Sequence, residues 1–132
     1  MLGRSSYSQD YVSACRKRFL SQLKAFDALA KKADTAAFAQ VFFCDLILAL
    51  EMSFVHRLRK NEGKDGNRLN EVRMIAASIL EHDGVMSEDS TIKWKPENSV
   101  TGLKIGAKIV LTRDAVETLV EEFFGEILEK YA

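Results

Sequence analysis

The chain has 132 residues, with 19 Lys and Arg against 19 Asp and Glu, a formal net charge of zero. Hydrophobic residues make up 47% and charged residues 29%. That composition excludes a disordered chain and a uniformly basic nucleic-acid binder, and it fits one domain able to bury its own core.

One proline and seven glycines are too few for the many turns of an all-β fold. Cys15 and Cys44 are too few for a disulfide scaffold. Both sit among apolar residues at helical spacing and read as buried, reduced thiols. The opening Met1-Leu2-Gly3-Arg4-Ser5 lacks the apolar core of a signal peptide. The longest apolar stretch, 41–55, is interrupted by Asp45 and Glu51 and falls short of the ~20 residues a bilayer needs. A soluble, cytoplasmic protein with no membrane contact is the expectation.

Four segments carry helical period. The first, about 8–32, repeats Val12, Cys15, Phe19, Leu23, Phe26, Ala30 and Ala33 at three- and four-residue steps. Ser6 with Gln9 has capping-box spacing. The second, about 35–60, is the most apolar and is expected to be the central helix, capped by Asp34 or Thr35. The third, about 67–82, buries Leu69, Val72, Ile75, Ala76 and Ile79 and stops at Gly84. The fourth, about 113–130, has Thr112 as its cap and sets Val116, Leu119, Val120, Phe123 and Ile127 opposite a row of glutamates.

Between the third and fourth segments the period changes. Thr91-Ile92-Lys93-Trp94-Lys95 alternates, and Lys108-Ile109-Val110-Leu111 is short and β-branched. This predicts a small β-hairpin within about 91–111. The expected fold is a mostly α, four-helix up-and-down bundle, 1–132, with that hairpin inserted before the last helix.

On a wheel at 100° per residue, the apolar sector of the second helix spans about 180°. So wide a sector predicts contact on two sides, the bundle and a second subunit. Glu51 falls inside it. A carboxylate there is paired, hydrogen-bonded or neutral, because a lone buried charge is too costly. It is the candidate buried carboxylate: a general base, one half of an internal ion pair, or a group that reaches water.

The candidate anion-binding constellation is His56, Arg57, Arg59, Lys64, Arg68 and Arg73. Residues 56–73 hold six Lys and Arg against three acids. Gly63 and Gly66 permit a tight loop that delivers the chain to a helix N-terminus, where free N–H groups favour anions. An ordinary solvated turn is the alternative. Neither histidine has a Glu three residues before it, zinc spacings are absent, and no phosphate-loop motif occurs. No metal, cofactor or catalytic residue is assigned.

Charge is uneven along the chain. Residues 1–32 carry seven Lys and Arg against two Asp, and residues 112–132 carry two against six acids. First and last helices are expected to meet, within one molecule or across a dimer.

The run Glu51-x-x-Phe54-Val55-His56-Arg57-Leu58-Arg59, followed by Glu62-Gly63-Lys64-Asp65-Gly66-Asn67-x-Leu69-Asn70-Glu71-Val72-Arg73, resembles small bacterial proteins of actinobacterial type. So does the ending with Gly102-Leu103-x-Ile105-Gly106, Leu111-Thr112 and Phe123-Phe124. That resemblance implies no activity. A fainter one is to HEPN-type helical bundles, many of them ribonucleases of defence systems, but their Arg-x(4–6)-His motif does not occur here. The expected function is a non-catalytic binding or protein-interaction module acting as a homodimer. The alternative is an anion- or nucleic-acid-handling protein working through the basic 56–73 segment.

Overall fold

The computed structural model describes residues 3–132. Met1 and Leu2, where the reading of a missing leader begins, lie outside the described residues. The order is α1 (Gln9–Ala30), α2 (Ala36–Ser53), α3 (Arg59–Glu62), α4 (Arg68–Glu81), a 3-10 turn (Pro96–Asn98) and α5 (Arg113–Tyr131). The fold is mostly α.

Each long helix starts where a side chain can take an orphan N–H. Ser8, rather than the predicted Ser6, caps α1 by accepting from Tyr11 N at 3.2 Å. Asp34 accepts from Ala36 N at 3.0 Å, Asn67 from Asn70 N at 3.0 Å, and Thr112 from Ala115 N at 3.1 Å. α5 packs on α1, α2 and α4, and α2 lies beside α4. Phe123, Phe124 and Ile127 of α5 are fully buried. Phe54 stands edge-on to Phe124 at 5.7 Å between centroids.

The first and last helices meet within one chain. Arg16 Nη2 of α1 donates to both carboxylate oxygens of Glu121 of α5, and Arg113 of α5 pairs with Asp27 of α1 at 2.6 Å.

Two expectations need correction. α2 ends at Ser53, not near 60. The Ser53 carbonyl accepts from the Tyr11 hydroxyl of α1, and the Glu51 and Met52 carbonyls from Phe54 N and Val55 N, so these acceptors of the last turn find partners where the helix stops. The chain then turns through Phe54–His56 and sends Arg57 inward.

The predicted β-hairpin does not form. Among the described residues there is no strand, only isolated bridges such as Val85 with Lys108. The alternation of 91–95 does report burial: Ile92 is buried and Trp94 half-buried. The backbone groups, however, find partners elsewhere. Lys93 N donates to Lys64 O at 2.9 Å. Val100 N and Thr101 N both donate to the Glu71 carboxylate. Leu111 N and O are both held by the Gln40 amide of α2. With these groups taken by the Lys64 carbonyl and by the Glu71 and Gln40 side chains, the segment has no need of a ladder.

Candidate functional site

The break after α2 organises the polar interior. Arg57 is fully buried, so its guanidinium must be surrounded by acceptors. Its Nε donates to Glu62 at 2.9 Å, its Nη2 to Glu51 at 2.9 Å and to Leu69 O at 3.2 Å, and its Nη1 to Phe54 O at 3.1 Å. Its charge also lies over the Phe123 ring, 5.5 Å from the centroid.

Glu62 has no exposed side-chain surface. It accepts from Arg57, from Arg73 Nη2 at 2.6 Å and from Asn70 Nδ2 at 2.7 Å. Burial opposes its charge, but the Arg73 hydrogen bonds and the Arg57 charge prevail and hold the carboxyl below its usual range. Glu51 differs. Burial pushes it up, against the lowering influence of Arg57. Of the readings open for Glu51, the geometry shows an ion pair.

The predicted anion-binding residues are dispersed. Arg57 and Arg73 are held by Glu51 and Glu62. Arg68 pairs with Glu71 and Glu122, each at 2.9 Å. Arg59 reaches Thr91 Oγ1 at 3.2 Å, and Lys64 and His56 are exposed. The N-terminus of α4 does hold an anion, and it is the protein's own: Arg68 N donates to the Glu126 carboxylate at 2.6 Å. Lys130 neutralises Glu126 at 2.7 Å.

Sequence reading missed a cleft on the other side of the α2 break. The N-terminal segment is laid against it by backbone bonds: Arg4 N to His56 O at 2.6 Å, Leu58 N to Arg4 O at 2.8 Å, and Tyr7 N to Tyr131 O at 2.8 Å. This docking encloses a half-open cavity of about 510 Å³, with Arg4, Tyr7, Tyr11, Met52, Ser53 and His56 on its walls. Glu51 is not on those walls. The Tyr7 and Tyr11 rings stack at 5.9 Å. The Tyr7 hydroxyl is buried without a hydrogen-bond partner. No local motif marks this cleft, because residues 4–11 and 52–56 meet only in the fold.

The outward face of α2 is the second feature. Only Phe43, Leu46, Ile47 and Leu50 of its eighteen residues are buried. Phe38, Val41 and Met52 are 50, 57 and 69% exposed. Ala37, Asp45 and Ala49 are exposed with them, and Leu48 is half-buried. α2 is long and apolar enough to cross a membrane by length and composition, a test that core helices of soluble proteins also pass. Cys15 is buried as expected, but Cys44 is only half-buried, and burial pushes its thiol up.

Compared with known proteins, the chain matches no family model, no curated protein and no solved structure.

Proposed function

We propose that this protein is a non-catalytic interaction module that self-associates through the exposed face of α2. The observation that carries the proposal is the symmetry of that face about Asp45. Phe38 and Met52 lie seven residues to either side of it, and Val41 and Ala49 four. An antiparallel pair of α2 helices with its twofold axis near Asp45 sets Phe38 of one copy against Met52 of the other. Such an isologous contact makes one stripe its own complement. The stripe is about 21 Å long from Phe38 to Met52. Val110, next to the Leu111 backbone held by Gln40, adds exposed apolar surface beside α2.

A single helix face buries less than the ~1,200–2,000 Å² of a standard interface. The association is therefore weak, with a dissociation constant in the micromolar range or above. A lipid surface suits this face less, because Asp45 stands in its middle and no Lys or Arg accompanies it on α2. Anion or nucleic-acid handling by 56–73 has less support, because Arg57, Arg68 and Arg73 are matched by internal carboxylates.

Light scattering across a concentration series tests the proposal, with flotation on neutral and anionic vesicles run in parallel. A mass rising toward the dimer, without vesicle binding, is expected. A constant monomer mass, or flotation with the vesicles, overturns it.

A further inference from the structure

We infer that the cleft between the N-terminal segment and the C-terminal end of α2 binds a small amphipathic anion, a carboxylate or phosphate head on an apolar or aromatic body. The inference does not require self-association, though Met52 belongs both to the cleft wall and to the end of the α2 face.

The arginines show where an anion is wanted. Among the described residues, six of the eight pair with a carboxylate: Arg16, Arg57, Arg59, Arg68, Arg73 and Arg113. Of the two without an acidic partner, Arg4 lines this cleft and Arg18 hydrogen-bonds one of its lining residues, Ser53. Arg4 is on its wall. Arg18 of α1 stands beside it, donating to Ser53 Oγ at 3.3 Å. His56 is on the wall as well, and no Asp or Glu is. The guanidinium of Arg4 on the wall and that of Arg18 beside Ser53 therefore meet at one cavity whose lining carries no carboxylate.

The rest of the wall is suited to an apolar body. Tyr11, Met52 and Val55 are exposed there beside the stacked Tyr7 ring. The volume, about 510 Å³, falls in the range of small-molecule sites, ~300–1,000 Å³. A few charged groups set against apolar and aromatic walls fix one end of a ligand and desolvate the other. An inorganic anion would leave the apolar wall unused, and a neutral hydrocarbon would leave Arg4 and Arg18 unpaired.

The test uses three ligands with one body: 4-phenylbutyrate, 4-phenylbutyl phosphate and 4-phenylbutanol. Each is titrated into the isotopically labelled protein while amide resonances are followed. Saturable shifts at Tyr7, Ser8, Ser53 and His56 are expected with the carboxylate, the phosphate or both. Which of them binds identifies the head group. The neutral alcohol should bind roughly tenfold more weakly or worse, the loss expected for charged hydrogen bonds. Arg4→Gln with Arg18→Gln should bring the anions down to the level of the alcohol. Both substitutions are at exposed side chains, and the amide spectrum itself reports folding. Sedimentation of the same samples should show an unchanged oligomeric state, which separates this result from that of the α2 face. The inference is overturned if neither anion gives saturable shifts, if the alcohol binds as well as the anions, if the double substitution leaves affinity unchanged, or if the shifts map to Phe38–Ala49 instead.

Discussion

Arg57 Nε lies 2.9 Å from Glu62 Oε1, and neither side chain has any surface exposed to solvent. The pair joins the turn after α2 to α3, and Arg73 and Asn70 bind α4 to the same carboxylate. Taking one partner away strands the other charge in the interior, a cost of about 3–5 kcal/mol. Glu62→Gln should therefore lower stability by that amount. Glu51→Gln should cost markedly less, because burial already opposes the charge of Glu51. Urea unfolding of the two variants checks the order.

The two carboxylates also give opposite signs to acid stability. Glu62 is held below its unfolded value, so its contribution is complete above the ordinary carboxylate pKa of about 4.3. That contribution is lost as pH falls through the lowered folded value. Glu51 is raised, so taking up its proton favours the fold as pH falls through the folded value toward the unfolded one. Stability should hold or rise slightly as pH falls toward the ordinary carboxylate value, about 4.3, and then fall below it. Glu51→Gln should remove the rise, and Glu62→Gln should flatten the fall. Unfolding midpoints measured across pH decide this.

Tyr131 supplies the alkaline counterpart. Burial, and then the nearby Glu62 charge, push its hydroxyl up to about 12, while it donates to Leu58 O at 2.7 Å. The folded state therefore loses stability as pH rises from the unfolded tyrosine value, about 10, through the folded one. Tyr131→Phe should cost about 1 kcal/mol at neutral pH for the lost hydrogen bond. It should also weaken the alkaline transition, which absorbance of the ionised phenol follows directly.

Gly66 is the glycine that the fold requires most clearly. Its φ is +84°, and a Cβ there would stand 2.5 Å from the Lys93 carbonyl. Gly66→Ala should destabilise by about 2 kcal/mol or more, from the left-handed backbone together with the displaced 91–95 segment. Gly102→Ala meets nothing within 4 Å at a similar positive φ, so it should cost only the backbone part. Comparing their thermal midpoints separates the two contributions.

The helices were legible in the sequence because their burial repeats locally. Val12, Cys15, Phe19, Leu23 and Phe26 are the buried residues of α1, at the spacing the pattern predicts, while Ala30 and Ala33, which continue that spacing, are exposed where the helix ends. What was not legible depends on partners distant in sequence. Leu58 continues the helical spacing of α2, but Tyr11 caps Ser53 from another helix and the Arg4 carbonyl takes Leu58 N. The alternation at 91–95 indicated which side chains turn inward, but not that Lys64 and Glu71 would take the backbone donors. Counting charge along 56–73 found the basic residues. It could not show that Glu51, Glu62, Glu71 and Glu122 hold Arg57, Arg68 and Arg73, with Arg59 3.9 Å from Glu62, nor that the two arginines without an acidic partner, Arg4 and Arg18, lie outside the segment.

The central claim is the register of two α2 helices, Phe38 against Met52 across a twofold axis. Asp45→Asn should tighten the dimer roughly fivefold by removing like charges near that axis. The most direct measurement is sedimentation equilibrium of Phe38→Glu, Met52→Lys and the double variant. Each single substitution puts a charge opposite an apolar side chain and should shift the protein to monomer. The double variant sets Glu against Lys at both ends of the seam and should restore the dimer. A double variant as monomeric as either single one, or a wild-type protein that stays monomeric at every concentration, would contradict the account.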